Sequence, residues 1–280
     1  MQKIIAFQGS IGANSDLACH KFYPDFTAKS YASFADVFKA VENGEARYGM
    51  IPLENSYAGR VSEIHNLLND SKVAIVAEHF FPIEHNLAAL DGSKLEDIKE
   101  VYSHPQALMQ CQNNLHKLNL KLCEFSNTAK AAEFVAQTGD KTKAALCSKK
   151  AAENNKLKIL QENLQDSGKD NVTVFVVISR EFADVDPAVG SVITTLLFTV
   201  RNITGALYKA LGGFATNNIN MIKLESYIPS GMSRQAKFFI SVEGHPSQKP
   251  IADALSELGF FSQNVKLIGV YYADKMRSQQ

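Results

Sequence analysis

Three short polar runs carry the side chains best suited to chemistry: Glu54-Asn55-Ser56, Ser103-His104-Pro105-Gln106 and Asn171-Val172-Thr173. Each adjoins an apolar segment, so each falls where a strand meets a loop or helix, the place catalytic groups favour in α/β folds. Asn55 and Ser56 bring amide and hydroxyl groups into a turn that continues as Tyr57-Ala58-Gly59. Taken alone, that turn also reads as a solvated loop. Glu54 suits general acid or base work, and equally suits plain surface charge. Pro105 sits well at the first turn of a helix, with Ser103 or His104 near the cap. Free N–H groups and the helix dipole would then accept a carboxylate-bearing ligand, although Ser103 as a cap alone explains the same residues. Thr173 interrupts the apolar run Val172 to Val177, and as a β-branched residue it packs well in a strand too.

The elements that must position these groups follow from hydrophobic spacing. Ile4 to Phe7 reads as a buried strand, Asn14-Ser15-Asp16 as a helix start, and Phe34, Val37, Phe38 and Val41 as one helical face ending at Gly44. Tyr48 to Leu53 is strand-like and delivers Glu54-Asn55-Ser56. Val61, Ile64, Leu67 and Leu68 mark another helix, and 73–90 is β-rich with a crossover. A strand ending at Val101-Tyr102 meets Ser103-His104-Pro105, and Leu108, Cys111, Leu115 and Leu118 predict one continuous helix. Strands at 122–125, 144–147 and 172–178 alternate with further helices. This alternation over 1–180 predicts an α/β region, better divided into two lobes than folded as one large sheet. Residues 181–190 break the pattern and predict a linker. Strand 191–200, helix 205–216, strands 219–228 and 236–242, helix 250–258 and strand 265–272 then give βαββαβ, the ferredoxin-like order, over 191–273.

Composition narrows the function classes. At 280 residues the chain has room for two domains and a sizeable core. Lys plus Arg and Asp plus Glu are both 29, and no basic run breaks the balance, so the footprint of a nucleic-acid binder is missing. No apolar run reaches the length of a membrane span, and the N-terminus turns polar at Gln8-Gly9-Ser10 too soon for a signal core; we expect a cytoplasmic protein. Cys19, Cys111, Cys123 and Cys147 form no Cys-x-x-Cys pair, and all but Cys19 lie in apolar-patterned segments. Reduced thiols are the expectation, with no disulfide framework and no metal site.

Taken together, these motifs resemble the prephenate dehydratase family with a C-terminal ACT regulatory domain, over essentially the whole chain. The resemblance rests on Phe7 to Ser15, on Ile51-Pro52-Leu53-Glu54-Asn55-Ser56 with Gly59 and Val61, and on Ser103 to Leu108. Asn127-Thr128-Ala129 adds to it, as do Gly205-Ala206-Leu207 and Leu224-Glu225-Ser226. The family's Asn-x-Thr-Arg-Phe strand stands here as Asn171-Val172-Thr173-Val174-Phe175, with Val174 in place of Arg. Thr204 replaces a usual Pro, and Tyr227-Ile228 follow Glu225-Ser226.

The resemblance implies a catalytic domain of two α/β lobes like a type II periplasmic-binding protein, over 1–180, and an ACT domain over 191–273. It implies decarboxylating dehydration of prephenate to phenylpyruvate in phenylalanine synthesis, without cofactor or metal. Thr173 would donate to the leaving hydroxyl, while Asn55, Ser56, Ser103 and Gln106, with Glu54, bind substrate. Phenylalanine would act as effector at Gly205, Ala206, Leu207, Leu224, Glu225 and Ser226, between subunits of a homodimer or homotetramer. Arogenate as substrate, and a non-catalytic amino-acid sensor, are the alternatives. Strand alternation puts Thr173, Phe175 and Val177 on one face and Val174 on the other, so Val174 is expected to face away from substrate.

Overall fold

The computed structural model describes residues 3–166, 170–228 and 235–277. Its first sheet begins with β1 (Ile4–Gln8), whose Ile5, Ala6 and Phe7 are wholly buried. Then come α1 (Asn14–Phe22), β2 (Thr27–Tyr31), α2 (Phe34–Glu42), β3 (Tyr48–Asn55), β4 (Gly59–Arg60), α3 (Ser62–Asp70) and β5 (Ala74–Pro82). Ser33 caps α2 by accepting from the Asp36 N–H at 3.2 Å.

The chain crosses at 83–85 into a second sheet. There β6 (Asn86–Ala89), β7 (Glu100–Ser103), α4 (Pro105–Gln110), α5 (Gln112–Lys117), β8 (Lys121–Glu124), α6 (Thr128–Thr138), β9 (Lys143–Cys147), α7 (Lys149–Asn154) and β10 (Lys158–Gln161) follow in turn. It returns to the first sheet as β11 (Val172–Ser179). The single helix expected over 105–118 is broken at Cys111, because the Asp166 carboxylate caps a new helix start at the Asn113 and Asn114 N–H groups. The buried stripe Leu108, Cys111, Leu115 survives the break. β2 and β10 escaped the hydrophobic pattern, since neither holds a buried residue.

In lobe I the strand order is β5-β11-β3-β1-β2, with β1 parallel to β2 and β3, and β11 antiparallel to both neighbours. Lobe II has the order β10-β6-β9-β7-β8, again mixed. The two crossing segments bond to each other: Ile83 N–H to Asn171 O at 2.7 Å and Leu164 N–H to His85 O at 2.8 Å. Across the front of the cleft, Ser148 Oγ donates to Gly12 O at 2.8 Å. Gly12 has φ of 86°, and a Cβ there would lie 3.2 Å from the Ala151 backbone, so glycine admits this approach of the lobes.

The remaining chain is β12 (Val192–Val200), α8 (Ala206–Thr216), β13 (Met221–Tyr227), β14 (Lys237–Glu243), α9 (Lys249–Phe261) and β15 (Ser262–Tyr272). Its antiparallel sheet runs β13-β14-β12-β15, and β15 meets β5 of lobe I at Gly269 and Ile75. A Cβ on Gly269 would come within 2.8 Å of Ile75 Cβ. One face of this sheet packs on α8 and α9 through Phe198, Phe214, Ile240 and Leu258. The other shares a core with lobe I, joining Leu197, Tyr227, Phe239 and Ile268 to Ile51, Ile64, Leu68 and Val176.

Candidate active site

A cavity of about 320 Å³ opens between the lobes, a size suited to a small organic ligand. Its wall takes Glu54, Asn55 and Thr173 from lobe I, His85 from the crossing segment, and His104, Gln106 and Gln110 from lobe II. α1 and α6 both begin at this wall, at Asn14 and Thr128, so two helix N-termini favour negative charge there.

Thr173 and Asn55 are direct partners across the β11–β3 ladder. The Asn55 side chain has only one possible orientation, because its Oδ1 accepts the backbone N–H groups of Tyr57 and Ala58, both at 3.0 Å. Its Nδ2 therefore points back and donates to Asn171 Oδ1 at 2.8 Å and Thr173 Oγ1 at 3.0 Å, with Val172 O at 3.2 Å. Gln110 donates its Nε2 to the same Asn55 Oδ1 at 3.2 Å. Its Oε1 then accepts from Asn171 Nδ2 at 3.1 Å and from His85 Nε2 at 2.8 Å. Burial lowers the pKa of His85, against the bond to Gln110 that raises it, so a neutral ring with its proton on Nε2 completes the chain.

Every bond of this chain runs one way: His85 to Gln110, Gln110 to Asn55, Asn55 to Thr173. The Thr173 hydroxyl is left as acceptor toward Asn55, and its own proton finds no acceptor among the described residues. The hydroxyl of Thr173, at the cavity wall and only 9% exposed, is thus left free to donate to a ligand.

The sequence-predicted residues do not all meet here. Glu54 lines the wall, but its carboxylate is engaged by Lys223 of β13. Gln106 lines the wall near the start of α4, where His104 Nδ1, rather than Ser103, accepts the Gln106 N–H. Ser103 lies behind the wall, fully buried, its Oγ donating to Leu146 O at 2.6 Å. Ser56 faces outward; its Oγ bonds Asp170 O at 2.7 Å and the Val172 N–H at 3.0 Å, stapling the turn to β11. The hydroxyls of Ser56 and Ser103 thus serve the backbone. Val174 lies opposite Glu54 and Phe80, on the face turned from Thr173, and is 8% exposed. His85, Gln110 and Asn171 are the members that sequence reasoning missed as site residues.

In the C-terminal module, Gly205, Ala206 and Leu207 line a cavity of about 750 Å³ beside Arg201 and Gln235. Gly205 precedes α8 at φ of 70°, and no side chain caps the helix. The structure does not bring Leu224, Glu225 and Ser226 to that wall within one chain. Glu225 points the other way, 2.9 Å from His65 of α3 and 2.9 Å from Lys223. Leu224 is exposed, and Ser226 O accepts from Arg60 at 2.6 Å. Cys19, expected outside the apolar pattern, is buried like Cys111 and Cys147, and burial pushes the Cys111 and Cys147 thiols up to about 12.

A two-lobed α/β unit with a polar cleft at its crossing strands defines a small-ligand binding fold, and the chain's relatives define its kind. Residues 5–183 match the sequence model of prephenate dehydratase; the chain belongs to the prephenate dehydratase family. It is 44% identical over 276 residues to a bifunctional N-acyl-homoserine lactone acylase/prephenate dehydratase of Komagataeibacter europaeus, covering 99% of this chain and 98% of that one. It is 34% identical to an arogenate dehydratase of Petunia hybrida, covering 96% of this chain and 72% of the relative. Among solved structures, the prephenate dehydratase of Arthrobacter aurescens in complex with L-Phe superposes with a TM-score of 0.87. That pair shares 27% identity and covers 96% of this chain and 90% of the other.

Proposed function

We propose that this protein is a prephenate dehydratase in which Thr173 assists the departing hydroxyl. The observation that carries the reading is the one-way hydrogen-bond chain from His85 to Thr173, which leaves the Thr173 hydroxyl at the cavity wall free to donate. Prephenate is a dicarboxylate with a ring hydroxyl. Its C–O bond breaks with the electron pair leaving on oxygen, while the pair of the ring–carboxylate bond enters the ring and carbon dioxide departs. Aromatisation supplies driving force, so the protein needs chiefly to orient the ring and stabilise the charge growing on the leaving oxygen. A Thr hydroxyl is too weak an acid to transfer its proton fully; an aimed hydrogen bond fits its chemistry. The N-termini of α1 and α6 suit the side-chain carboxylate, which keeps its charge through the reaction.

The C-terminal βαββαβ module, in this reading, is an ACT-type regulatory domain that binds phenylalanine where Gly205 lets a ligand approach the uncapped start of α8. Leu224 and Ser226, exposed on β13, would complete that pocket from a second subunit, in a homodimer or homotetramer. Glu225 is not part of it. The three buried free thiols suit the reducing cytoplasm.

The identity to the bifunctional relative motivates a second reading, hydrolysis of an N-acyl-homoserine lactone. The cavity wall places no Ser or Cys among its described residues, and Thr173 accepts from an amide rather than facing a base. Purified protein incubated separately with prephenate, arogenate and an N-acyl-homoserine lactone distinguishes these readings. Phenylpyruvate from prephenate is expected; phenylalanine from arogenate alone, or free fatty acid alone, would replace the proposal. Calorimetry should register phenylalanine binding at millimolar concentration or below, and a flat titration would remove the regulatory part.

A further inference from the structure

Glu54 stands beside the site, yet its counter-ion comes from another module. On β11 the residue opposite Glu54 is Val174, which offers no charge, and on β4 it is Arg60, whose guanidinium donates to a backbone oxygen of β13. The cation is Lys223 of β13, whose side chain is 12% exposed and whose ammonium reaches both Glu54 and Glu225. Glu225 in turn lies 2.9 Å from His65, which is wholly buried in α3. A second tie runs alongside: Arg60, the register partner of Glu54 in the β3–β4 hairpin, donates to Ser226 O of β13 at 2.6 Å. The hairpin is therefore clamped to β13 at both of its strands.

That hairpin carries Asn55, the residue after Glu54. Asn55 closes the turn by accepting from the Tyr57 and Ala58 N–H groups and orients Thr173. We propose that Lys223 is a positioning residue for the dehydration: by holding Glu54 it fixes the end of β3, and with it the Asn55 amide that directs the Thr173 hydroxyl. The inference rests on the role given to Thr173 above. It gives the C-terminal module a physical hold on the cleft, through a side chain that touches neither substrate nor Thr173. Removing the ammonium takes from Glu54 and Glu225, both partly buried, the cation they share, and with it the tie that holds the end of β3 to β13.

The test uses the full chain and steady-state prephenate turnover for wild type, Lys223→Met, Lys223→Arg, Glu54→Gln and the double variant Glu54→Gln/Lys223→Met. We expect Lys223→Met to lower kcat about 10-fold with KM within about threefold, the loss typical of a small misplacement of a catalytic group. Lys223→Arg should restore kcat to within about threefold, and the double variant should be no slower than Glu54→Gln alone. The proposal is overturned if folded Lys223→Met keeps wild-type kcat, if its loss lies in KM alone, if Arg fails to restore it, or if the two losses multiply. Should Lys223→Met not fold, Lys223→Gln takes its place. Amide hydrogen exchange gives a readout independent of turnover. The Tyr57 and Ala58 amides should exchange faster in Lys223→Met while α6 amides do not change, and unchanged exchange at Tyr57 and Ala58 overturns the proposal. If wild type fails to turn over prephenate, the functional reading falls, and the exchange measurement still decides the role of Lys223.

Discussion

Lobe I and lobe II meet the cleft on unequal terms. Lobe I supplies Thr173 and Asn55 on adjacent strands, and its sheet continues through β5 and β15 into the C-terminal module. Lobe II has cores of its own around Leu87, Leu146, Ala132 and Val135, and joins lobe I through two crossing segments and the contact at Gly12. Its contribution to the hydrogen-bond chain is Gln110, at the end of α4. The difference lies in what each neighbour holds: lobe II bonds the Asn55 side chain through Gln110, whereas the C-terminal module bonds the hairpin that carries Asn55, at Glu54 and Arg60.

The sharpest break of that comparison is in lobe II. Gln110→Glu keeps the shape and still accepts from His85 and Asn171, but it brings an oxygen instead of an N–H to Asn55 Oδ1. We expect kcat to fall at least about 10-fold, because a carboxylate oxygen facing Asn55 Oδ1 repels it and displaces the amide that orients Thr173. Unchanged kcat would mean that lobe I orders the hydroxyl unaided.

On the lobe I side the junction itself can be titrated. Burial raises the Glu225 carboxyl, but His65 at 2.9 Å and the Lys223 ammonium outweigh it and hold the group down to about 2, from an ordinary 4.5. A carboxyl depressed on folding contributes stability above its unfolded pKa, and that contribution is lost as pH falls from about 4.5 to about 2. Wild type should therefore melt above Glu225→Gln at pH 6 to 7, roughly neutrality, and the gap in Tm should close as pH falls through that window. A gap independent of pH would place the stabilising effect elsewhere.

The smallest effect is expected at Val174. An Arg introduced there stands next to Glu54 and Phe80, on the face away from the cleft. Val174→Arg should leave kcat within about threefold of wild type, with some loss of stability from placing charge at a nearly buried position. A gain of about 100-fold would show that the missing guanidinium belongs to the reaction.

How far the residues foretold this site depends on what brings each one there. Thr173 and Asn55 were noticeable as polar residues in or ending apolar strands, but spacing alone fitted strand packing and a solvated loop equally well, and only the family resemblance gave them a role. Asn171 stood in the run with Thr173 but carried no role there, while His85 and Gln110 lie far from it in the chain and meet it only through the packing of the two lobes, which no local pattern encodes. Ser56 and Ser103 were misplaced for a related reason: spacing puts a hydroxyl near a cleft but does not say whether it bonds backbone or ligand. Glu225 was given a role by motif resemblance alone, and that its face of β13 meets lobe I depends on the shared core around Leu197 and Ile64.

The central claim is that a donor at position 173 assists the leaving hydroxyl, and two variants isolate it. Thr173→Ser keeps the oxygen that accepts from Asn55 and the proton free to donate; Thr173→Val keeps the shape and loses both. With prephenate in excess and phenylpyruvate measured as product, the serine variant should remain within about tenfold of wild-type kcat. The valine variant, with an unchanged circular dichroism spectrum, should fall at least about 100-fold. Near wild-type phenylpyruvate formation by folded Thr173→Val would contradict the account.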